Sequence, residues 1–261
     1  MRIHAVPQRQ GALVDNARLL PDGCLALSRL AGDIAGIEPH VVPVSTEDSP
    51  AVGGVANRAA LIVNRTAQLA ALEAPEGPVL TIGGDCGTDV ASIGVARFRH
   101  GPNLGVAWFD AHPDLNTPET SPSGAYHGMA LRALFGEGDP EFVAGPALRP
   151  GNAVLIGARA FDPGEQTAID RGLVTRDSFP GEQIYLHIDL DVLDPGEFGG
   201  VTYPEPNGLS IAELVDAIDG IPVPVVGVGI TECVTADETE LRKLTPVIEA
   251  VTGALLRGAP A

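Results

Sequence analysis

Leu104-Gly105-Val106-Ala107-Trp108-Phe109-Asp110-Ala111-His112-Pro113-Asp114 decides the reading of this chain. Its first half is a short apolar run with no polar interruption, the pattern of a strand covered on both faces. Its second half sets chelating side chains two positions apart. Successive side chains of an extended segment alternate faces, so Asp110, His112 and Asp114 can project together from one strand end. The arrangement recurs twice: the run 78–82 leads into Gly83-Gly84-Asp85-Cys86, and the run 184–189 leads into Asp189-Leu190-Asp191-Val192-Leu193-Asp194-Pro195. In open α/β sheets ligands bind at the carboxyl ends of strands, which is where all three acidic stretches fall. Burying several carboxylates together is strongly unfavourable unless cations sit among them. The three stretches hold enough hard ligands for two metal ions.

Outward from this segment, short β-rich runs alternate with longer helical patterns. Strands are expected at 2–6, 39–44, 78–82, 104–110, 153–158, 184–189 and 225–231, and helices at 24–34, 54–73, 88–97, 127–134, 210–218 and 238–256. That order predicts an α/β fold of three layers, αβα, around a mostly parallel sheet. No internal repeat or linker interrupts the chain, so a single domain over 1–261 is expected. The Pro- and Gly-rich stretches 136–150 and 195–208 read as surface loops.

A chain of 261 residues with 44% hydrophobic residues can bury one large core. Its formal net charge of −18 argues against a nucleic-acid partner, which needs a basic face, and against an anionic membrane surface. The start, Met1-Arg2-Ile3-His4-Ala5-Val6-Pro7, lacks the apolar stretch of a signal peptide, and no segment reaches the roughly 20 apolar residues of a membrane span. A cytoplasmic protein is expected. Cys24, Cys86 and Cys233 are odd in number and widely spaced, which predicts free thiols. Gly227-Val228-Gly229 is not followed by the last glycine of a dinucleotide fingerprint, and no Gly-x-Ser-x-Gly elbow occurs. His4, His40 and His100 read as ordinary surface or core histidines. His187, on the same strand face as Asp189, is expected beside the site but not as a ligand.

From Gly83 to Glu232 the chain resembles the arginase, or ureohydrolase, family of binuclear manganese enzymes that hydrolyse guanidino compounds. In that family the first motif normally reads Gly-Gly-Asp-His, the second Asp-Ala-His-x-Asp and the third Asp-x-Asp-x-x-Asp-Pro. Two are intact here and the first carries Cys86. The resemblance implies two Mn²⁺ per chain: Asp110 and Asp189 bridging, Asp114 and Cys86 completing site A, His112 and Asp191 completing site B. Asp85 and Asp194 become supporting residues. The segment 115–128 is similar to the one that holds a substrate α-carboxylate, through Asn116, Ser121 and Ser123. Asp162 and Glu165 match residues that bind the α-amino group, although Asp162-Pro163-Gly164-Glu165 is equally a good helix start. His127 matches a mobile acid-base histidine, with a helix-start histidine as the plainer reading. Glu232 matches a glutamate that pairs with the guanidinium, and His127, Glu232 and Asp114 form the implied catalytic set.

Cys86 bears on the substrate. Manganese prefers oxygen and imidazole donors to sulfur, so site A is expected to bind it weakly. That should impair attack on the poorly electrophilic guanidinium of arginine more than on a guanidino group already activated by hydroxylation. Together with this argument the resemblance implies hydrolysis of N-hydroxy-L-arginine to L-ornithine and hydroxyurea by a metal-bridging hydroxide, a step of antibiotic biosynthesis. Alternatives are an ordinary arginase, an agmatinase-like hydrolase, which the α-amino-acid clamp disfavours, and a degenerate homologue that binds metal or arginine without turnover. The implied partner is a small guanidino amino acid, and a monomer or a homo-oligomer is expected.

Overall fold

The computed structural model describes residues 1–74, 77–176 and 178–258. Seven strands, β1 (Arg2–Val6), β2 (His40–Val41), β3 (Val79–Gly83), β4 (Leu104–Phe109), β5 (Ala153–Ile156), β6 (Gln183–Asp189) and β7 (Val225–Thr231), form one sheet. Their order is β2-β1-β3-β7-β6-β4-β5 and every pair is parallel. Among the described residues the α-helices are α1 (Leu20–Ala35), α2 (Arg58–Leu72), α3 (Asp89–His100), α4 (Ala130–Leu134), α5 (Pro163–Asp170), α6 (Ile211–Asp219), α7 (Glu238–Leu241) and α8 (Thr245–Gly258).

Strand alternation divides the interior into two cores. Phe109, Leu186, Ile188 and Ile230 pack with Leu27 of α1, Leu214 of α6 and Ile248 of α8 on one face. Val106, Trp108 and Tyr185 pack with Leu61 of α2, Ile93 of α3 and Leu131 of α4 on the other. The expected three-layer α/β fold is therefore present. Among the described residues no helix is long and apolar enough to cross a membrane, and Cys24, Cys86 and Cys233 are free and buried.

Departures from expectation have local causes. The strand expected over 39–44 is reduced to His40–Val41, an edge strand with a neighbour on one side, extended only by the Val42 N–H bond to the Ala5 carbonyl. The helix expected over 238–256 is broken by a 3₁₀ turn at Arg242–Leu244, just before Pro246. Proline has no N–H to donate to the carbonyl four residues earlier, so the ladder breaks there and the long helix restarts at Thr245 with Pro246 in its first turn. Over 127–134 a 3₁₀ turn, His127–Met129, precedes the short α4.

The Gly227-Val228-Gly229 stretch serves packing. A Cβ on Gly229 would land on the Asp89 carboxylate, and one on Gly227 would lie 2.5 Å from the Tyr185 ring. Both glycines let buried polar groups of α3 and β6 approach the sheet. Gly229→Ala is expected to cost about 1–3 kcal/mol, the range for overpacking a filled interior. Urea unfolding, with the midpoint falling at unchanged slope, would measure it.

Candidate functional site

The central strands β3, β7, β6 and β4 are adjacent in the sheet, and their carboxyl ends deliver Asp85–Cys86, Glu232, Asp189–Asp191 and Asp110–Asp114 to one place. The chelating groups meet in three overlapping clusters: Cys86, Asp110, Asp114 and His187; Cys86, Asp189 and Glu232; Asp110, His112 and Asp191. Within each cluster the donor atoms lie within 4.8 Å of one another. All six residues expected as metal ligands are therefore brought together.

The chain's own backbone aims these side chains. Asp110 accepts the His112 N–H at 2.6 Å and the Trp108 indole N–H at 3.0 Å. Asp189 accepts the Asp191 N–H at 2.8 Å, and Asp191 accepts the Ala111 N–H at 2.9 Å. His112 Nδ1 stands 2.9 Å from Asp191 and 3.5 Å from Asp110. Asp114 (φ 51°) and Glu232 (φ 67°) adopt left-handed backbone, a costly state for residues other than glycine that the surrounding structure must hold in place. Cys86 donates its S–H to Asp189 at 3.0 Å, and its N–H to Glu232 at 3.1 Å.

Electrostatics shows what the cluster lacks. Burial, reinforced by the Asp191 charge, pushes Asp110 up to about 6. Burial with neighbouring carboxylates pushes Asp114 and Asp189 well above the usual range. Burial also raises the Cys86 thiol, with the Asp189 charge adding to it. Burial opposes the charged form of His112, but hydrogen bonds to Asp110 and Asp191 prevail and hold it protonated up to about 12. Each raised carboxyl marks buried negative charge that a cation would offset. One oxygen of Asp114, Oδ2, is buried with no partner, a donor left over for a ligand that the protein does not supply. The donor set of carboxylates and one imidazole fits hard divalent ions, and the sulfur is its one soft member.

Above this floor lies a cavity of about 400 Å³. Asn116, Ser121, Ser123, Asp162 and Glu165 all line it, with His127. Asn116 donates to Asp162 at 2.9 Å. Glu165 accepts the Asp162 N–H at 2.8 Å and the Leu115 N–H at 3.1 Å, and burial raises its carboxyl to about 7. Glu165 caps α5 and also faces the cavity. His127 Nδ1 stands 3.1 Å from Glu232. Burial opposes charging of His127, but the Glu232 carboxylate outweighs it and raises the imidazole above its usual range.

The supporting residues differ in kind. Asp85 accepts from Gln8 at 2.9 Å, Gly11 at 2.8 Å and Gly87 at 3.0 Å, so it ties the loop after β1 to the turn that carries Cys86. Asp194 caps turns by accepting from Gly196 at 2.9 Å and Asn207 at 2.9 Å. The loop 195–208 is more than surface: Thr202 donates to Glu232, and the Tyr203 ring lies 5.9 Å from His112 and 5.5 Å from His127 between centroids. Nothing in the residue types of that loop announces these contacts, and its one signal is that it directly follows Asp194-Pro195.

The arginase family model matches residues 31–177 and 175–245. The chain belongs to the arginase family. Among curated proteins it is 31% identical over 242 residues to the N(omega)-hydroxy-L-arginine amidinohydrolase of Streptomyces lavendulae, covering 85% of this chain and 86% of that one. It is 38% identical over 158 residues to the arginase of Bacillus subtilis, a match that spans 51% of this chain and 53% of that protein. The chain thus aligns with about half the length of that arginase. The arginase of Bacillus caldovelox superposes with a TM-score of 0.82 at 26% identity, over 97% of each chain. The Entamoeba histolytica arginase, solved with L-ornithine, shares the fold at TM-score 0.82 and 24% identity, over 98% of this chain and 97% of that one.

Proposed function

We propose that this arginase-family chain hydrolyses N-hydroxy-L-arginine to L-ornithine and hydroxyurea, using two manganese ions. The observation that carries the reading is Cys86, a sulfur donor placed among Asp110, Asp114 and Asp189, together with the similarity to the hydroxyarginine amidinohydrolase over most of both chains. In this reading Asp110 and Asp189 would hold both ions, with Cys86 and Asp114 at one and His112 and Asp191 at the other. Two divalent ions would supply an activated water and positive charge that offsets the charge developing at the guanidino carbon.

The remaining chemistry belongs to the chain. Asn116, Ser121 and Ser123 bind the α-carboxylate of the substrate, and Asp162 and Glu165 its α-amino group. Glu232, already steadied by the Cys86 N–H and Thr202, orients the guanidino group. The oxygen of water adds to the guanidino carbon and the bond from that carbon to the substrate's Nδ breaks. His127, raised in proton affinity beside Glu232, gives its proton to the departing Nδ and recovers one from the added water. The N-hydroxyl lowers the basicity of the guanidino group, so a metal site weakened by sulfur still suffices. A cytoplasmic location belongs to the same reading.

Ornithine release from L-arginine and from N-hydroxy-L-arginine, with added Mn²⁺, tests the proposal in the native chain and in Cys86→His. The native chain is expected to prefer the hydroxylated substrate in kcat/KM, and the histidine to raise arginine hydrolysis by roughly tenfold, about 1.4 kcal/mol of transition-state stabilisation. Equal or better turnover of arginine by the native chain would make it an arginase with an unusual ligand. Bound metal without hydrolysis of either substrate would make it a binding homologue.

A further inference from the structure

Beneath the acidic cluster a second imidazole is closed off from solvent. The His187 ring stacks on the Trp108 indole, with centroids 3.5 Å apart and planes 16° from parallel, and none of its surface is exposed. Its Nδ1 lies 2.7 Å from Asp89 Oδ2, and the other Asp89 oxygen accepts the Tyr185 hydroxyl at 3.0 Å. Gly229 and Gly227 make the room in which this pair sits against β7. With Nδ1–H donating to Asp89, the Nε2 lone pair is left uncommitted. That nitrogen is buried and has no hydrogen-bond partner.

A ring nitrogen of His187, the Cys86 sulfur and carboxylate oxygens of Asp110 and Asp114 lie within 4.8 Å of one another, all four residues buried. Donors facing each other across one ion are separated by roughly 4 to 4.5 Å. Among the described residues His187 Nε2 and Asp114 Oδ2 are buried without a hydrogen-bond partner, and an ion held by this group of residues would give both a partner. A carboxylate fixing the far nitrogen of an imidazole is also the arrangement that orients metal-bound histidines in general.

We propose that His187 is a metal ligand through Nε2, positioned by Asp89 and Tyr185, and that it gives the ion at Cys86, Asp110 and Asp114 a nitrogen donor better suited to manganese than sulfur. This inference rests on the metal reading of the site. The experiment is Mn²⁺ binding, counted by elemental analysis, with histidine nitrogens coupled to the bound ion read by electron spin-echo modulation in ¹⁵N-histidine-labelled protein. Histidine coupling is expected to persist in a His112→Ala, His127→Ala double variant. His187→Phe, which keeps a ring against Trp108, is expected to abolish that coupling when added to the double variant, and alone to bind its first-lost ion about 10- to 100-fold more weakly.

If the double variant binds Mn²⁺ with no histidine nitrogen coupled, His187 is not a ligand, whatever the fate of His187→Phe. If His187→Phe folds and holds both ions with unchanged affinity, the proposal also fails. A native chain that takes up no Mn²⁺ overturns the metal reading itself and this inference with it.

Discussion

Asp189→Asn is expected to lower kcat/KM by at least about 10³-fold, roughly 4 kcal/mol of transition-state stabilisation, while making the metal-free protein more stable. The two effects share one cause. Asp189 is buried among Asp191, Asp110 and Glu232, and burial followed by these charges raises its carboxyl well above the ordinary range. In the unfolded chain the same group ionises near pH 3.8, so keeping it in the metal-free fold becomes more costly as pH rises above that value. An isosteric amide removes the charge and can still accept the Asp191 N–H through its carbonyl oxygen, the bond seen at 2.8 Å. The Tm of the metal-free protein should rise, because a carboxyl whose folded value lies above its unfolded one opposes folding at neutral pH. The charge is also what the ions need, and Asp189 reaches both Cys86 and the Asp110–Asp191 side of the cluster. Thermal unfolding in EDTA and turnover with Mn²⁺, measured on the same preparation, give the comparison. A variant that is less stable and also inactive would indicate misfolding, and an active one would remove Asp189 from the chemistry.

Central strands buried on both faces read as apolar runs, and the acids that end β4 and β6 mark where the sheet stops and the site begins. For that reason the three-layer fold and the meeting of the six residues expected as ligands were legible in the sequence, since each lies in a short motif at a strand end. The edge strand β2 was overread because its pairing ends after two residues, and the break before α8 was missed although Pro246 signals it. What escaped is whatever the fold alone makes adjacent. Asp89 and His187 are 98 residues apart, and Thr202 and Glu232 are 30 apart. Neither pair has a spacing that marks it. The sequence places His187 beside the site, on the strand face of Asp189, whereas its unpartnered Nε2 exists only in three dimensions. The Gly-Val-Gly stretch is similar: its glycines answer to Asp89 and Tyr185 across the sheet, not to any local motif.

Mn²⁺ is expected to raise the Tm of the metal-free protein by roughly 10 °C at pH 8 when present at about a thousandfold excess over its Kd, which corresponds to about 4 kcal/mol. At pH 5 the shift should be much smaller. The direction follows from which groups hold protons. Asp110 is raised to about 6 by burial and the Asp191 charge, and Asp114 and Asp189 are raised further. His112, despite burial, is held protonated up to about 12 by Asp110 and Asp191. In each case the folded protein binds protons that the unfolded chain has released, so stability from these groups is complete below their unfolded values, near 3.8 for the carboxyls and 6.5 for the imidazole. It declines as pH rises through the folded values. Asp191, lowered because its bond to His112 outweighs burial, acts oppositely, but only below its ordinary value. Ions entering the cluster must displace these protons, so binding releases protons and strengthens with pH. The metal-free protein should therefore lose stability between pH 5 and pH 8 while the loaded protein does not. Parallel melting curves with EDTA and with Mn²⁺ at both pH values make the comparison, and a shift independent of pH would show that the ions bind away from these carboxylates.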